Sequence, residues 1–393
     1  MKLRAKSKSR GFTLMELLIS LVVGTIVIGS AVSLFSSAMD ATWVENQQAE
    51  MQQDLRAASD LLVKDITLAG EGLPLETGIA LPSGGGAARP VYGCNQAGAC
   101  TPTGAINYPY APTTTVPTMF GIIPGYQMGI TPPGSATASD TITVVYADPV
   151  LALNCYTISW PASPNLNPVQ FTAPVSPPPA SCILPANVAF PQGLTDPVYG
   201  LKAGDILLFY TQSAYYVGEV TAVAGPASPP AVASAVYDVT FANGDPLELN
   251  QTAATSGDLK ALIGVAGVSA MRIEVITYYL MNQPDPAGIG TGTPILMRQV
   301  NGGTAVPVAE NVVNLQFTYD TYNSDGTLLS GAPDGGYSVG DSYNLIRKIN
   351  VLHLSIRSTM QGARNQMKGK KGFQTLDFQS SVSARDLSYQ QRY

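Results

Sequence analysis

The sequence predicts an α+β protein in which a long N-terminal helix, transmembrane and then amphipathic, packs on a mainly antiparallel β-sheet body. Three observations predict this fold class. Residues 17–39 carry no charge and are rich in Leu, Val and Ile. Residues 30–69 contain neither glycine nor proline, so a helix can continue through them. After residue 200, short runs alternate apolar and polar side chains, which is typical of half-buried strands.

The composition excludes several classes of function. Only 12% of the 393 residues are charged, against about 25% in an ordinary soluble domain. The first eleven residues hold five basic residues and no acid, and the rest holds 16 basic and 27 acidic residues. This acidic body argues against nucleic-acid binding, which needs many cations. The single histidine, His353, leaves no multi-histidine metal site and one candidate for a Ser-His-Asp triad. We therefore expect no enzyme, cofactor or metal.

The uncharged run from residue 17 to 39 predicts a membrane-spanning helix. At 1.5 Å per residue it extends about 34 Å, enough for a hydrocarbon core of about 30 Å. The basic residues before it should stay in the cytoplasm, which places the body outside. An ordinary signal peptide is the alternative, but its apolar run is shorter, about 7–15 residues. Glu16 costs about 2.5–3.5 kcal/mol in a membrane, so we expect it to have a partner from another chain.

The helix should continue beyond the membrane and end near residue 70. Apolar residues recur there at spacings of three or four, which indicates one buried helical face: Met51, Leu55, Ala58, Leu62, Ile66 and Ala69. Gly70 and Gly72, followed by Pro74, supply the stop signal.

The region from 71 to 200 is rich in proline and glycine and low in charge. It holds 21 of the 30 prolines, which disfavour helices and central strands. Residues 140–146 nevertheless predict a strand. We expect an irregular subdomain attached to the sheet, with a partly flexible surface loop as the alternative. Its four cysteines have no CxxC spacing and predict disulfides outside the cytosol. Sequence proximity favours Cys94 with Cys100 and Cys155 with Cys182; four reduced thiols are the alternative.

The rest of the chain predicts a series of strands. Residues 205–210, 215–220 and 236–241 predict an antiparallel meander. Later strands are expected at 272–280, 295–300, 312–319, 349–357 and 374–383. Alternation places His353 opposite Leu352 and Leu354. A hairpin loop before the last strand should carry four clustered cations: Arg364, Lys368, Lys370 and Lys371. This loop predicts docking on an acidic surface, and a solvated tip is the alternative.

The N-terminal residues resemble a known family. A basic leader followed by Gly11-Phe12-Thr13-Leu14-Met15-Glu16 and an apolar helix is similar to the class III signal of type IV pilins and type II secretion pseudopilins. The resemblance implies cleavage between Gly11 and Phe12 by a prepilin peptidase, with N-methylation of Phe12. It also implies that Glu16 meets the N-terminal amine of a neighbouring subunit during assembly.

The body resembles the same family. Residues 278–280 (YYL), 296–303 (LMRQVNGG) and 309–319 (AENVVNLQFTY) are similar to the C-terminal body of PilW-type minor pilins. This resemblance implies a pilin-like minor subunit that primes or caps a type IV pilus. Its implied partners are other minor pilins, the major pilin, the prepilin peptidase and the inner-membrane assembly platform. A J-type minor pseudopilin of type II secretion and a pilus-tip adhesin remain alternatives.

The expected organisation therefore has five segments. Residues 1–11 form the prepilin leader, residues 12–39 the transmembrane and filament-core helix, and residues 40–70 its amphipathic continuation. Residues 71–200 form the Pro/Gly-rich region, and residues 201–393 the antiparallel body. The expected location is the bacterial inner membrane, with a cytoplasmic N-terminus and a periplasmic body, and later the pilus or cell surface.

Overall fold

The structure, a computed structural model, describes residues 11–73, 78–86, 118–125, 127, 129–132, 135–148, 150–174, 182, 193–226, 234–283, 292–322, 328–332, 346–357 and 374–385. In these ranges the chain forms a long α-helix and mostly antiparallel strands in three sheets, an α+β, pilin-like architecture. The chain divides into two compact units, residues 1–52 with 358–374 and residues 53–357 with 375–393. The first contains the beginning of the helix, and the second contains the remainder of the helix and the strands.

Helix α1 runs without interruption from Leu14–Leu68, a length of 55 residues. The predicted extent and stop are confirmed. Gly70 follows the last turn with φ at +83°, the left-handed conformation in which glycine commonly ends a helix. Its N–H donates to the carbonyl of Val145 at 2.8 Å, so the chain leaves the helix by joining the sheet.

The longest strands lie in the second half of the chain. In chain order they are β1 (Ile79–Ala80), β2 (Thr118–Met119), β3 (Ile122–Gly125), β4 (Thr141–Asp148), β5 (Thr157–Ser159), β6 (Val169–Thr172), β7 (Ile206–Tyr210), β8 (Tyr215–Glu219), β9 (Ala222–Ala224), β10 (Val236–Thr240), β11 (Ser269–Gln283), β12 (Thr293–Val300), β13 (Val306–Glu310), β14 (Val312–Tyr322), β15 (Leu328–Ala332), β16 (Ile346–Arg357) and β17 (Thr375–Ser383).

The largest sheet has nine strands and is built around β11. Its main path is β13-β12-β11-β7-β8-β1-β2, and β4 pairs with both β11 and β3. β11 is long enough to pair antiparallel with β12, β4 and β7 over different parts of its length. The strand predicted at 140–146 is β4. The described strands β1 to β4 therefore belong to the main sheet, although they come from the proline-rich region.

Two smaller sheets have the orders β5-β6-β10-β9 and β15-β14-β16-β17. The prediction that residues 236–241 form the third strand of a meander with β7 and β8 is wrong. β7 and β8 do pair antiparallel, but β10 pairs with β6 and β9 in the smaller sheet. The physical reason is apolar matching over long range: Tyr237 and Val239 of β10 lie opposite Phe171 and Val169 of β6, and all four side chains are buried.

The core lies on both faces of the main sheet. Leu207 and Phe209 of β7 pack in an aromatic cluster, where the Phe209 ring lies 5.6 Å from that of Phe241. Ile206 and Leu208 of the same strand pack in an aliphatic cluster on the other face. A strand covered on both faces must be apolar at every position, which explains the unbroken apolar run at this point.

Candidate functional site: the N-terminal helix and its anchor

The first turn of α1 is closed by a reciprocal pair of side chains. The Glu16 carboxylate accepts hydrogen bonds from the N–H and the hydroxyl of Thr13, both at 3.1 Å. The N–H of Glu16 donates to the Thr13 hydroxyl at 3.3 Å. This arrangement is a capping box. The sequence carries the Thr-x-x-Glu signature of this motif. The prediction for Glu16 considered only the cost of a charge in the membrane and did not include this local partner.

The peptide bond between Gly11 and Phe12 is accessible. Gly11 is exposed, and no heavy atom lies within 4 Å of the position that a Cβ would take there. The Phe12 side chain is 80% exposed. Both residues precede the first helical residue, Leu14, so the backbone at this junction is not part of the helix.

The first half of α1 exposes an apolar surface. Its large apolar side chains between Phe12 and Met39 are 47–82% exposed. Exposed apolar surface of this extent marks a site of membrane or protein contact. By length and composition α1 can cross a membrane. We therefore assign an apolar environment to this half of the helix.

Four hydroxyl groups in this half are hydrogen-bonded within the helix. Each one donates to a backbone carbonyl three or four residues earlier: Ser20 to Leu17, Thr25 to Val22, Ser30 to Val27 and Ser37 to Ser33, at 2.8–3.0 Å. Such bonds are what a polar side chain needs where no water is available. The helix can enter hydrocarbon without an unsatisfied hydroxyl in this set.

The second half of α1 is embedded in the β-rich unit. Ala58, Leu62, Ile66 and Ala69 are fully buried, and their spacing of three or four residues confirms the predicted apolar face. Together they remove a stripe of apolar surface from water, which is the main source of helix stability in a globular domain.

Asp65 lies within this buried stripe and is the polar anchor of the helix. Its carboxylate oxygen Oδ2 accepts hydrogen bonds from the Tyr278 hydroxyl at 2.6 Å and from Arg298 Nε at 2.7 Å. Burial, together with the hydrogen bond to Asp65 and its charge, raises the pKa of Tyr278. The contacts fix the rotation of α1 over β11 and β12. The signal in the sequence was an acid between Leu62 and Ile66, and it was missed.

His353 lies in a polar cluster that lacks the geometry of a catalytic triad. Its Nε2 atom is 3.2 Å from the Ser355 hydroxyl and 3.6 Å from an Asp377 carboxylate oxygen. Its Nδ1 atom is 3.2 Å from the Asn314 amide nitrogen. A triad needs serine on one ring nitrogen and the carboxylate on the other. Here both contact Nε2, and the hydroxyl of Ser355 hydrogen-bonds directly to Asp377.

Cys155 and Cys182 form a disulfide, with Cα atoms 4.4 Å apart. Cys155 is buried next to the aromatic cluster. Cys94 and Cys100 lie outside the described residues, and so do the four cations of the predicted basic loop, Arg364, Lys368, Lys370 and Lys371. Among the residues that the structure describes, no three His, Cys, Asp or Glu side chains are grouped so that they could hold a metal ion.

Comparison with known proteins bears on the N-terminus. Residues 6–32 match the family model of the prokaryotic N-terminal methylation motif. This match supports a type IV pilin-like protein. The motif implies processing by a prepilin peptidase and assembly with other pilins. Together with the apolar helix, it is consistent with a single-pass inner-membrane anchor. No curated protein and no solved structure matches the chain.

Proposed function

We propose that the chain is a PilW-type minor pilin that primes and caps a type IV pilus, as a structural subunit of the inner-membrane initiation complex and the pilus tip. One observation carries the proposal. The methylation motif at residues 6–32 leads directly into a 55-residue helix that is apolar and exposed in its first half and anchored in a β-rich unit from Ala58 onward. The function is therefore packing and not chemistry.

The exposed Gly11–Phe12 junction is the proposed cleavage site, and Phe12 is the proposed site of N-methylation. Cleavage removes the five leader cations and leaves a new amine on Phe12, four residues before Glu16. The basic leader stays cytoplasmic and the body is periplasmic before it reaches the pilus. In assembly, the Glu16 carboxylate exchanges its contact with Thr13 for the amine of a neighbouring subunit, which neutralises its charge.

Mass spectrometry of the membrane-extracted protein tests the processing step. We expect a chain that begins at a methylated Phe12. A chain that begins after Ala38 would mean that the segment is an ordinary signal peptide. Deletion of the gene tests the assembly step, and we expect surface pili to be lost while protein secretion continues.

Other outcomes of the deletion would assign the chain to a different function. Loss of secretion with normal pili would make it a J-type minor pseudopilin of a type II secretion system. Normal pili that no longer bind a surface would make it a tip adhesin.

A further inference from the structure

An open groove of about 570 Å³ runs between the second half of α1 and strand β13. Leu61 and Lys64 line it from the helix, Val306 and Val308 from β13, and Arg298 from β12. Among the described strands, β13 is the last on its side of the nine-stranded sheet, and it pairs with β12. Asp65 of the helix contacts Tyr278 of β11 and Arg298 of β12, and Arg298 also lines the groove.

The apolar walls of this groove are exposed. Val306 is 60% exposed, and Val308 and Leu61 are only half-buried. Valine pairs on a strand normally face a packed layer, because one face of a sheet is buried in a domain. The exposed surface beside a packed helix has the geometry of a groove that accepts a second helix.

A strand would fit this edge poorly. Pro307 lies in the middle of β13 and has no N–H to donate to an added strand. Proline on an edge strand is a usual device against strand addition. The occupant must therefore bind through side chains on the face of β13, which a helix can do.

The charges in the groove favour an acidic occupant. The guanidinium of Arg298 is held in place through Nε by Asp65, and its side chain remains 24% exposed. Lys64 is exposed and forms no ion pair within 4 Å in the described part of the chain. Asp60 is the single acid among the lining residues. Because the charge of Arg298 is already balanced by Asp65, Lys64 is the lining cation that has no ion-pair partner among the described residues, and Arg298 adds guanidinium donors beside it.

We propose that this groove binds an acidic amphipathic helix of a partner subunit. Its apolar side chains pack on Val306, Val308 and Leu61, and a carboxylate beside them binds Arg298 and Lys64. A positioned guanidinium is suited to a carboxylate because it presents its donors in a fixed plane. This inference rests on the proposed function because it assumes that the chain assembles with other subunits. It adds where the partner binds and that the bound partner helix is acidic.

Photo-crosslinking in cells of the native host tests the site. The full-length chain carries p-benzoylphenylalanine in place of Val306, and a control chain carries it in place of Val198, which is 69% exposed and far from the groove in sequence. We expect the Val306 position to give an adduct whose crosslinked peptide is an acidic helix of another membrane-anchored subunit. The Val198 position should not give this adduct. Absence of an adduct at Val306 would overturn the proposal, as would a basic or uncharged peptide.

Charge exchange tests the chemistry. We expect Lys64→Glu to reduce the adduct about tenfold, and a change of the contacted partner carboxylate to lysine to restore it. Lys202→Glu, at an exposed lysine outside the groove, should leave the adduct unchanged. If the adduct forms in the same yield in Lys64→Glu, the prediction that the partner helix is acidic is overturned. If the adduct is absent while cleavage before Phe12 and piliation are normal, only the proposed role of the groove is overturned. Abnormal cleavage would instead overturn the proposed function.

Discussion

The two halves of helix α1 each carry one carboxylate in apolar surroundings, and they satisfy it in different ways. Glu16 bonds to Thr13, three residues away on the same chain segment. Asp65 bonds to Tyr278 and Arg298, which are 213 and 233 residues away. Glu16 is exposed and Asp65 is buried. The first carboxylate is therefore held without any folded domain, while the second depends on the completed sheet.

This difference indicates which half remains available for assembly. In hydrocarbon a helix has to satisfy its polar groups itself, and four hydroxyls of the first half do so. The charge of Glu16 is not neutralised by its bonds to Thr13, so a cation from outside the chain can still stabilise it. Among the described residues, Glu16 has no ion-pair partner, whereas Asp65 is already paired with Arg298.

The largest effect should come from breaking the anchor. Asp65→Ala leaves Tyr278 and Arg298 without their common acceptor, and Tyr278 is fully buried. Removing one partner from a buried ion pair costs about 3–5 kcal/mol. We expect the free energy of unfolding of the full chain, measured by urea denaturation in detergent, to fall by about this amount.

The control for the anchor is Asp60→Ala, one turn earlier and exposed, which should change the unfolding free energy little. Replacing both members of the ion pair, by Asp65→Leu with Arg298→Met, should recover most of the loss because no buried charge is left alone. Equal effects of Asp65→Ala and Asp60→Ala would show that Asp65 does not anchor the helix.

A matched pair of leucines compares the two halves directly. Leu62 is fully buried and Leu21 is 62% exposed, and both lie within α1. Leu62→Ala should lower the unfolding free energy by about 2–5 kcal/mol, because a buried leucine loses its contacts and leaves a cavity. Leu21→Ala should change it by no more than about 0.5 kcal/mol. The same urea titrations measure both, and similar losses would contradict the division of the helix into two environments.

Features of the fold and of the candidate site could be predicted from the sequence when the interacting residues are close together in the chain. The helix and its end at Gly70 followed from local signals, and so did β4 and the alternation around His353. The capping box was also local, and Thr13 and Glu16 could have been recognised together. The partners of Asp65 could not be found in this way, because nothing local in α1 specifies Tyr278 or Arg298. The prediction that β10 pairs in the same sheet as β7 and β8 was wrong for the same reason. Alternation defines the two faces of a strand but not which strands lie beside it.

A third carboxylate, Glu219, extends the comparison to a buried acid that forms no ion pair with any of the described residues. Burial, with the nearby Asp245, raises the pKa of Glu219 from 4.5 to about 8. The folded protein therefore holds a proton on Glu219 that the unfolded chain releases near pH 4.5. This stabilisation is complete below that pH and is lost as the pH rises towards 8. We expect Glu219 to contribute up to about 1.4 kcal/mol per pH unit to the fall of the unfolding free energy across this range. Burial also raises the pKa of Asp140, to about 6, which adds to the slope at the lower end of the range.

Urea titrations at several pH values measure this slope. Glu219→Gln keeps an uncharged side chain of similar shape at every pH, so it should reduce the slope, most clearly between pH 6 and 8, above the raised pKa of Asp140. Glu310→Gln changes an exposed glutamate and should leave the curve unchanged. An undiminished slope between pH 6 and 8 in Glu219→Gln would assign the proton to another group.

The smallest effect on stability, and the most specific effect on assembly, is expected at Glu16. Glu16→Gln keeps an oxygen that can accept from Thr13 but removes the charge, whereas Glu16→Ala removes both. Thr13→Ala removes the capping partner and keeps the charge. All three should insert into the membrane and unfold like the unchanged protein, because Glu16 and Thr13 lie outside the β-rich unit. If the free charge drives assembly, Thr13→Ala should still co-purify with partner pilins and both Glu16 variants should not. Co-purification of Glu16→Gln at the normal level, with loss in Thr13→Ala, would instead show that the capping box is what assembly requires.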